Sequence, residues 1–175
     1  SPTAASFTIG DGITCADGTA FTAKTVVRNL ERMKDPKVAA PMTGTWLGSY
    51  DYTVSLADDG KTVDIAFPAP VPFMQQKLAE GPGFVCDKGL DNTKSLEKAS
   101  DGTGPYVLTS ATADDTYKMK LRDGGYTWGI DGDKITDKMP KNVTFRALAD
   151  PNAIANLVKS GDADIALVDG SALER

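Results

Sequence analysis

The 175 residues, 41% of them hydrophobic, suffice for one good-sized domain or two small ones. There are 24 acidic against 19 basic side chains, a net charge of −5 with no basic run, which argues against a nucleic-acid partner because phosphate neutralisation needs clustered Lys and Arg. Histidine is absent, so the commonest general base, metal ligand and proton shuttle are missing from any chemistry this chain performs alone.

The opening, SPTAASFTIG, shows no signal-peptide pattern and reads as the start of a mature or trimmed chain. Phe7 to Ile9 read as extended, and Gly10, Gly12 and Asp17-Gly18 are turn signals. Thr22 is placed to cap a helix from Ala23. Val26, Val27, Leu30 and Met33 recur on one face of it, and Asp35-Pro36 ends it. PMTGTWLGSY (41–50) reads as a loop, in which Met42, Trp46 and Tyr50 sit beside glycines; amphipathic side chains of this kind line binding clefts. Val54 and Leu56 alternate on one arm of a hairpin and Val63, Ile65 and Phe67 on the other, with DDGK (58–61) as the turn. Pro72 suits the first turn of a short helix to about Leu78, stopped by Gly81 and Gly83. Residues 87–102 are polar and read as a short helix or loop.

Cys15 and Cys86 lie far apart and lack the C-x-x-C spacing of zinc or redox sites. They are either two reduced, buried thiols or a disulfide. Turn residues beside both favour the disulfide, which implies an oxidising compartment.

DGTGPYVL (101–108) is a glycine- and proline-rich joint feeding a strand at Tyr106–Ser110. A second strand alternates Tyr117, Met119 and Leu121 against Lys118, Lys120 and Arg122, the pattern of a half-buried antiparallel strand. The Gly- and Asp-rich stretch that follows, with Trp128, reads as a surface loop. NVTFRAL (142–148) reads as a strand. DPNAIANLVKSG (150–161) reads as a helix capped by Asp150, with Pro151 at its first position, Gly161 at its C-cap, and Ile154, Leu157 and Val158 as its apolar stripe. DIALV (164–168) reads as a buried strand, which makes a C-terminal parallel βαβ unit. Parallel strands are covered on both faces, so a chain ending soon afterwards is expected to have continued.

Enzyme chemistry finds no positive support. The doublets Asp58-Asp59 and Asp114-Asp115 lie in predicted turns, where Asp bonds its own backbone, rather than across a cleft as a glycosidase pair does. DGGYTWGIDGDKITDK lacks the order and closing Glu of a calcium loop, and GDGITCADG lacks the phosphate-loop order. No S-x-x-K occurs. Asn142-Val143-Thr144 is a glycosylation sequon by letter only. Trp128 reads as a core plug before it reads as a cleft residue.

Five pieces then occur in order: FTIGDGITCADGTAFTAKTVVRNLERMKDP, ADDGKTVDIAFPAPVPF, GTGPYVL, LRDGGYTW and VTFRALADPNAIANLVKSGDADIAL. From Phe7 to about Glu174 the chain resembles the family-5 solute-binding proteins of bacterial ABC importers, the group that includes oligopeptide- and dipeptide-binding proteins. It departs at Thr25, where the family usually has an acid, so a lost capping box is expected; at Cys15, where an aromatic is common; and at DGGYTW, where the family has N-P-x-Y-W. The cysteine pair resembles an actinobacterial subgroup whose members are often lipid-anchored outside the membrane.

The resemblance implies a mixed α/β (α+β) fold, the class C periplasmic-binding-protein architecture, as a partial lobe. Residues 11–101 would be an inserted α+β subdomain, and residues 102–175 with 1–10 part of the ligand-facing α/β subdomain, the second lobe being absent. It implies a non-enzymatic, extracytoplasmic receptor, lipid-anchored at the cell surface or periplasmic, without a cofactor or bound metal. That receptor would bind a small solute, a peptide first, and work with ABC permease subunits, touching the membrane only through an anchor outside this chain. The carried-over solute positions are Met42, Trp46, Leu167, Val168, Asp169 and Gly170. A stand-alone protein-interaction module and, remotely, an acid-pair carbohydrate hydrolase are the alternatives.

Overall fold

The computed structural model describes residues 3–38, 51–81, 83–124, 126–129 and 134–168. Two three-stranded antiparallel sheets organise this mixed α/β fold. The first runs in the order β1 (Ala4–Thr8), β3 (Thr62–Ala66), β2 (Thr53–Leu56); the second runs β4 (Tyr106–Thr112), β5 (Thr116–Leu121), β6 (Asn142–Arg146). β1 pairs with β3 in register Ala4 to Ala66 through Thr8 to Thr62.

Helix α1 (Ala23–Lys34) packs on β2 and β3. Its start follows the predicted Thr22 cap, and the capping box expected to be lost is present. The Thr25 hydroxyl takes the place of the acid: it accepts the Thr22 N–H at 3.4 Å, while the Thr22 hydroxyl accepts the Thr25 N–H at 3.4 Å. The same hydroxyl donates to the Asp87 carboxylate at 2.9 Å, so Thr25 both closes the helix start and ties it to α3 (Asp87–Asp91). Arg28, one turn on, reaches Asp87 and Asp91 at 2.5 and 2.6 Å.

Asn29 is a buried polar group on this helix. Its amide donates to the Thr25 and Val85 carbonyls at 2.8 Å each and accepts the Val85 N–H at 2.9 Å. The side chain thus pairs with Val85 as a neighbouring strand would, and satisfies backbone groups that burial would otherwise leave costly.

The core comprises Val26 and Leu30 from α1, Val63 and Ile65 from β3, and Tyr52, Phe67, Val71 and Met74, with Cys15 and Cys86. Among the described residues, every buried hydrophobic side chain lies between Cys15 and Cys86. The short helix α2 (Met74–Ala79) contributes only Met74. It begins two residues later than Pro72 suggests, after Phe73 in a left-handed conformation.

The second sheet is built differently. Register places Tyr106, Leu108, Tyr117, Met119, Val143 and Phe145 on one face, yet none is buried and Phe145 is 57% exposed. Helix α4 (Pro151–Ser160) has the predicted ends: the Asp150 carboxylate accepts the Asn152 N–H at 2.9 Å, and Gly161 closes it at φ 80°. No residue of α4 is buried.

Among the described residues, the parallel βαβ unit is not formed. β6 pairs antiparallel with β5, and residues 165–168 carry no strand pairing, with Ile165 and Leu167 91% and 96% exposed. The apolar run has the composition of a strand, but a strand exists only where a neighbour takes its backbone hydrogen bonds. Among the described residues, none does so for 165–168.

Tyr52 is buried, donates to the Leu30 carbonyl at 2.7 Å and lies beneath Lys34. Desolvation, then the nearby Glu31 charge, pushes its phenol up to about 12 from 10.0. The folded state keeps this proton where the unfolded chain loses it, so the stability linked to it is whole below pH 10 and falls as pH rises towards about 12. Urea titrations across that range should show this alkaline loss in the native chain and a shallower one in Tyr52→Phe. At neutral pH, Asn29→Ala, which strands both backbone groups of Val85, should cost about 2 kcal/mol or more in the same titration.

Candidate functional site

The positions expected to meet a solute fall into two sets. Met42, Trp46, Asp169 and Gly170 lie outside the described residues. Leu167 and Val168 follow α4, Leu167 exposed and Val168 half-buried.

Two hollows among the described residues bear on solute binding. A groove of about 540 Å³ opens between β1, α1 and α2, walled by Ala5, Phe7, Leu30, Met74, Leu78 and Phe84 among others. A smaller hollow of about 380 Å³ lies on the apolar face of the second sheet, at Gly104, Pro105, Tyr106, Met119, Val143 and Phe145. Neither contains Leu167 or Val168. Their walls offer apolar contact and few polar groups, a surface suited to burial rather than to proton transfer.

The acidic doublets have the turn role read from sequence. The Asp59 carboxylate accepts the backbone N–H groups of Lys61 and Thr62 at 2.8 Å and the Thr62 hydroxyl at 2.7 Å. These bonds, the Lys61 N–H foremost, hold its carboxyl below the usual range. Asp114 sits in the β4–β5 turn at φ 58°.

The two cysteines form a disulfide, with Cα atoms 6.1 Å apart. Asp101 is the third member of the one His, Cys, Asp or Glu group among the described residues compact enough to hold a metal ion. The sulfurs, however, are spent on each other, and the Asp101 carboxylate accepts the Gly89 N–H at 2.6 Å. Space there is tight: a Cβ on Gly89 would lie 2.7 Å from Val85, 2.9 Å from Leu96 and 3.0 Å from Asp101.

Around this disulfide the joint at 101–105 is held from both sides. Cys86 N–H donates to the Asp101 carbonyl at 2.8 Å. On the other side, the Arg122 guanidinium donates to the Thr14 carbonyl at 3.1 Å and to the Cys15 carbonyl. It also lies over the Trp128 ring, 5.4 Å from its centre, while the Trp128 indole N–H donates to the Thr103 carbonyl at 3.0 Å. Tyr126 packs against Trp128 at 5.0 Å. Trp128 is therefore a half-buried tie at the joint and not a core plug.

Sequence reading missed Arg122, Asp101 and Asn29. Arg122 is the last of the alternating cations of β5, and the only local hint is that a guanidinium, unlike the lysines before it, can fork across two carbonyls.

Among known proteins, the family model described as "Bacterial extracellular solute-binding proteins, family 5 Middle" matches residues 2–175. The glutathione-binding protein GsiB of Escherichia coli strain K12 is 29% identical over 164 residues, which is 89% of this chain and 29% of GsiB. A substrate-binding protein from Microbacterium hydrocarbonoxydans, solved with 4-hydroxybenzoate hydrazide, superposes with a TM-score of 0.77 at 29% identity, covering 99% of this chain and 37% of that one. The periplasmic murein tripeptide binding protein MppA, in an unliganded open form, shares the fold with a TM-score of 0.71 at 23% identity, over 91% of this chain and 33% of its own. The chain thus spans about a third of the length of these relatives. No helix among the described residues is long and apolar enough to cross a membrane.

The disulfide closes a 71-residue separation, which in the chain-entropy description restrains the unfolded state by about 4 kcal/mol. Intact mass without reductant should fall about 2 Da below the reduced mass, from the loss of two hydrogens when the S–S bond forms. Cys15→Ser with Cys86→Ser should lose up to that ~4 kcal/mol in urea titration.

Proposed function

Because the chain belongs to the bacterial extracellular solute-binding proteins of family 5, we propose that it forms part of the ligand-binding body of an extracytoplasmic receptor that captures a peptide for an ABC importer. The observation that carries this is the family match over residues 2–175. The peptide assignment draws on GsiB, which binds glutathione, itself a small peptide, and on the murein tripeptide binding protein of the same fold. In this reading residues 11–101 and 102–175 are two subdomains of one lobe, and the joint at 101–105 returns the chain from one to the other.

Recognition would work by closure, with a second lobe burying the solute against this one. Two features support a surface awaiting a partner. The apolar face of the second sheet is incompletely covered, and Ile165 and Leu167 stand almost fully in water. Exposed apolar area costs about 25 cal/mol per Å² relative to burial, so these groups favour a covering layer. Met42 and Trp46 would reach the solute from the segment after α1, and Leu167 to Gly170 from the segment after α4. No catalytic role is assigned; the protein binds, releases its solute to permease subunits, and is held outside the membrane by a lipid anchor or in the periplasm.

Isothermal titration with di- to pentapeptides tests this. A receptor carrying this chain with its second lobe should bind at least one peptide at micromolar or tighter affinity, and the 175-residue chain should bind the same peptide at least about 100-fold more weakly, a difference of about 2.7 kcal/mol. Equal affinity for the isolated chain would overturn closure between two lobes, and binding of only non-peptide solutes would overturn the peptide assignment.

A further inference from the structure

We propose that Arg122 is an oxidation-coupled positioning residue, which holds the second sheet against the first half of the molecule more firmly while the Cys15–Cys86 disulfide ties the turn carrying its carbonyl acceptors to the joint at Asp101. This concerns the chain itself and stands whatever its solute.

All the buried hydrophobic side chains among the described residues lie between Cys15 and Cys86, and no helix or strand of that half packs extensively against β4, β5 or β6. Among the described residues, one polar link between the two halves passes through Arg122. Its backbone N–H extends the sheet by donating to the Pro105 carbonyl at 2.9 Å. Its guanidinium crosses to the Thr14 and Cys15 carbonyls and stacks on Trp128, which in turn holds Thr103. Among the described residues Arg122 makes no ion pair; its donors go to two neutral carbonyls whose positions are set by the main chain at Cys15. A fork of this kind rewards fixed acceptors and loses most of its value when they move.

These acceptors sit in a turn that Cys15 N–H to the Thr19 carbonyl at 2.8 Å and Gly18 N–H to the Cys15 carbonyl at 3.0 Å hold locally, and the disulfide anchors that turn to the joint side of the molecule. Cys15 is joined to Cys86, and Cys86 N–H holds the Asp101 carbonyl. The bonded sulfurs therefore close a ring: from Cys15 through Arg122, Trp128 and Thr103 along the joint to Asp101, and back through Cys86. Reduction opens the ring at its one covalent cross-link. Closure takes two thiols and a low-molecular-weight disulfide: the Cys15 and Cys86 sulfurs pass two protons and two electrons to glutathione disulfide by exchange, leaving the protein disulfide and two glutathione thiols. Docking of the second sheet then tightens on oxidation.

Because coupling is reciprocal, Arg122 must favour the disulfide as much as the disulfide favours Arg122. The test equilibrates the 175-residue chain with defined ratios of glutathione to glutathione disulfide and measures the oxidised fraction by thiol trapping and mass. Arg122→Met should shift this equilibrium about tenfold towards thiols, within the usual range of coupling. Tyr106→Phe serves as control: it removes a bond to the Pro140 carbonyl in the same sheet and does not touch the ring, so it should shift the equilibrium less than about twofold. In a Trp46→Phe background, where Trp128 is the sole tryptophan, the near-ultraviolet circular dichroism of Trp128 should appear in step with thiol loss in the parent and not in Arg122→Met. An unshifted equilibrium in Arg122→Met, equal shifts in both variants, or a Trp128 signal indifferent to thiol state would each overturn the proposal.

Discussion

The bond between Cys15 and Cys86 is the constraint on which the rest of the molecule depends. It sits fully buried in the core, and the residues it encloses supply all the buried hydrophobic side chains among those described. Helix α1 lies across β2 and β3 within that enclosure, its start tied to α3 through Thr25, Arg28 and Asp87. Asn29 and Tyr52 turn buried polar atoms inward onto backbone partners, so the enclosed half has both an apolar core and its polar groups satisfied.

Among the described residues, the second half lacks such a core. Its three strands follow a clear alternation, and their register gathers Tyr106, Leu108, Met119, Val143 and Phe145 on one face, but little covers that face. Helix α4 is well capped at both ends without burying a residue, an arrangement that caps alone would leave marginal because most helical stability in proteins comes from packing. Its attachment to the first half is a set of directional bonds at the joint, centred on Arg122 and Trp128. A long-range polar clasp of this type orients the second sheet at small cost in buried area.

The chain belongs to family 5; it has no histidine, and its Asp59 carboxylate is occupied by its own hairpin. The disulfide agrees with the extracellular character of the family, since oxidising compartments let such bonds persist.

Local signals carried much of this structure in the sequence. Thr22 and Asp35-Pro36 bounded α1, DDGK placed the first hairpin, Lys–apolar alternation marked β5, and Asp150-Pro151 with Gly161 delimited α4, because caps and turns are decided by residues within a few positions of one another. Tertiary structure decided what depends on distant partners. It chose the disulfide over two free thiols by bringing Cys15 and Cys86 to 6.1 Å, paired β1 with β3 across more than fifty residues, and restored the capping box through a threonine hydroxyl. It also withheld a strand from residues 165–168 because, among the described residues, no neighbour took up their hydrogen bonds, and it turned Arg122 from one more cation of an alternating strand into the bridge to Thr14 and Cys15. Backbone acceptors brought close only by folding leave no trace in the letters around the residue that binds them.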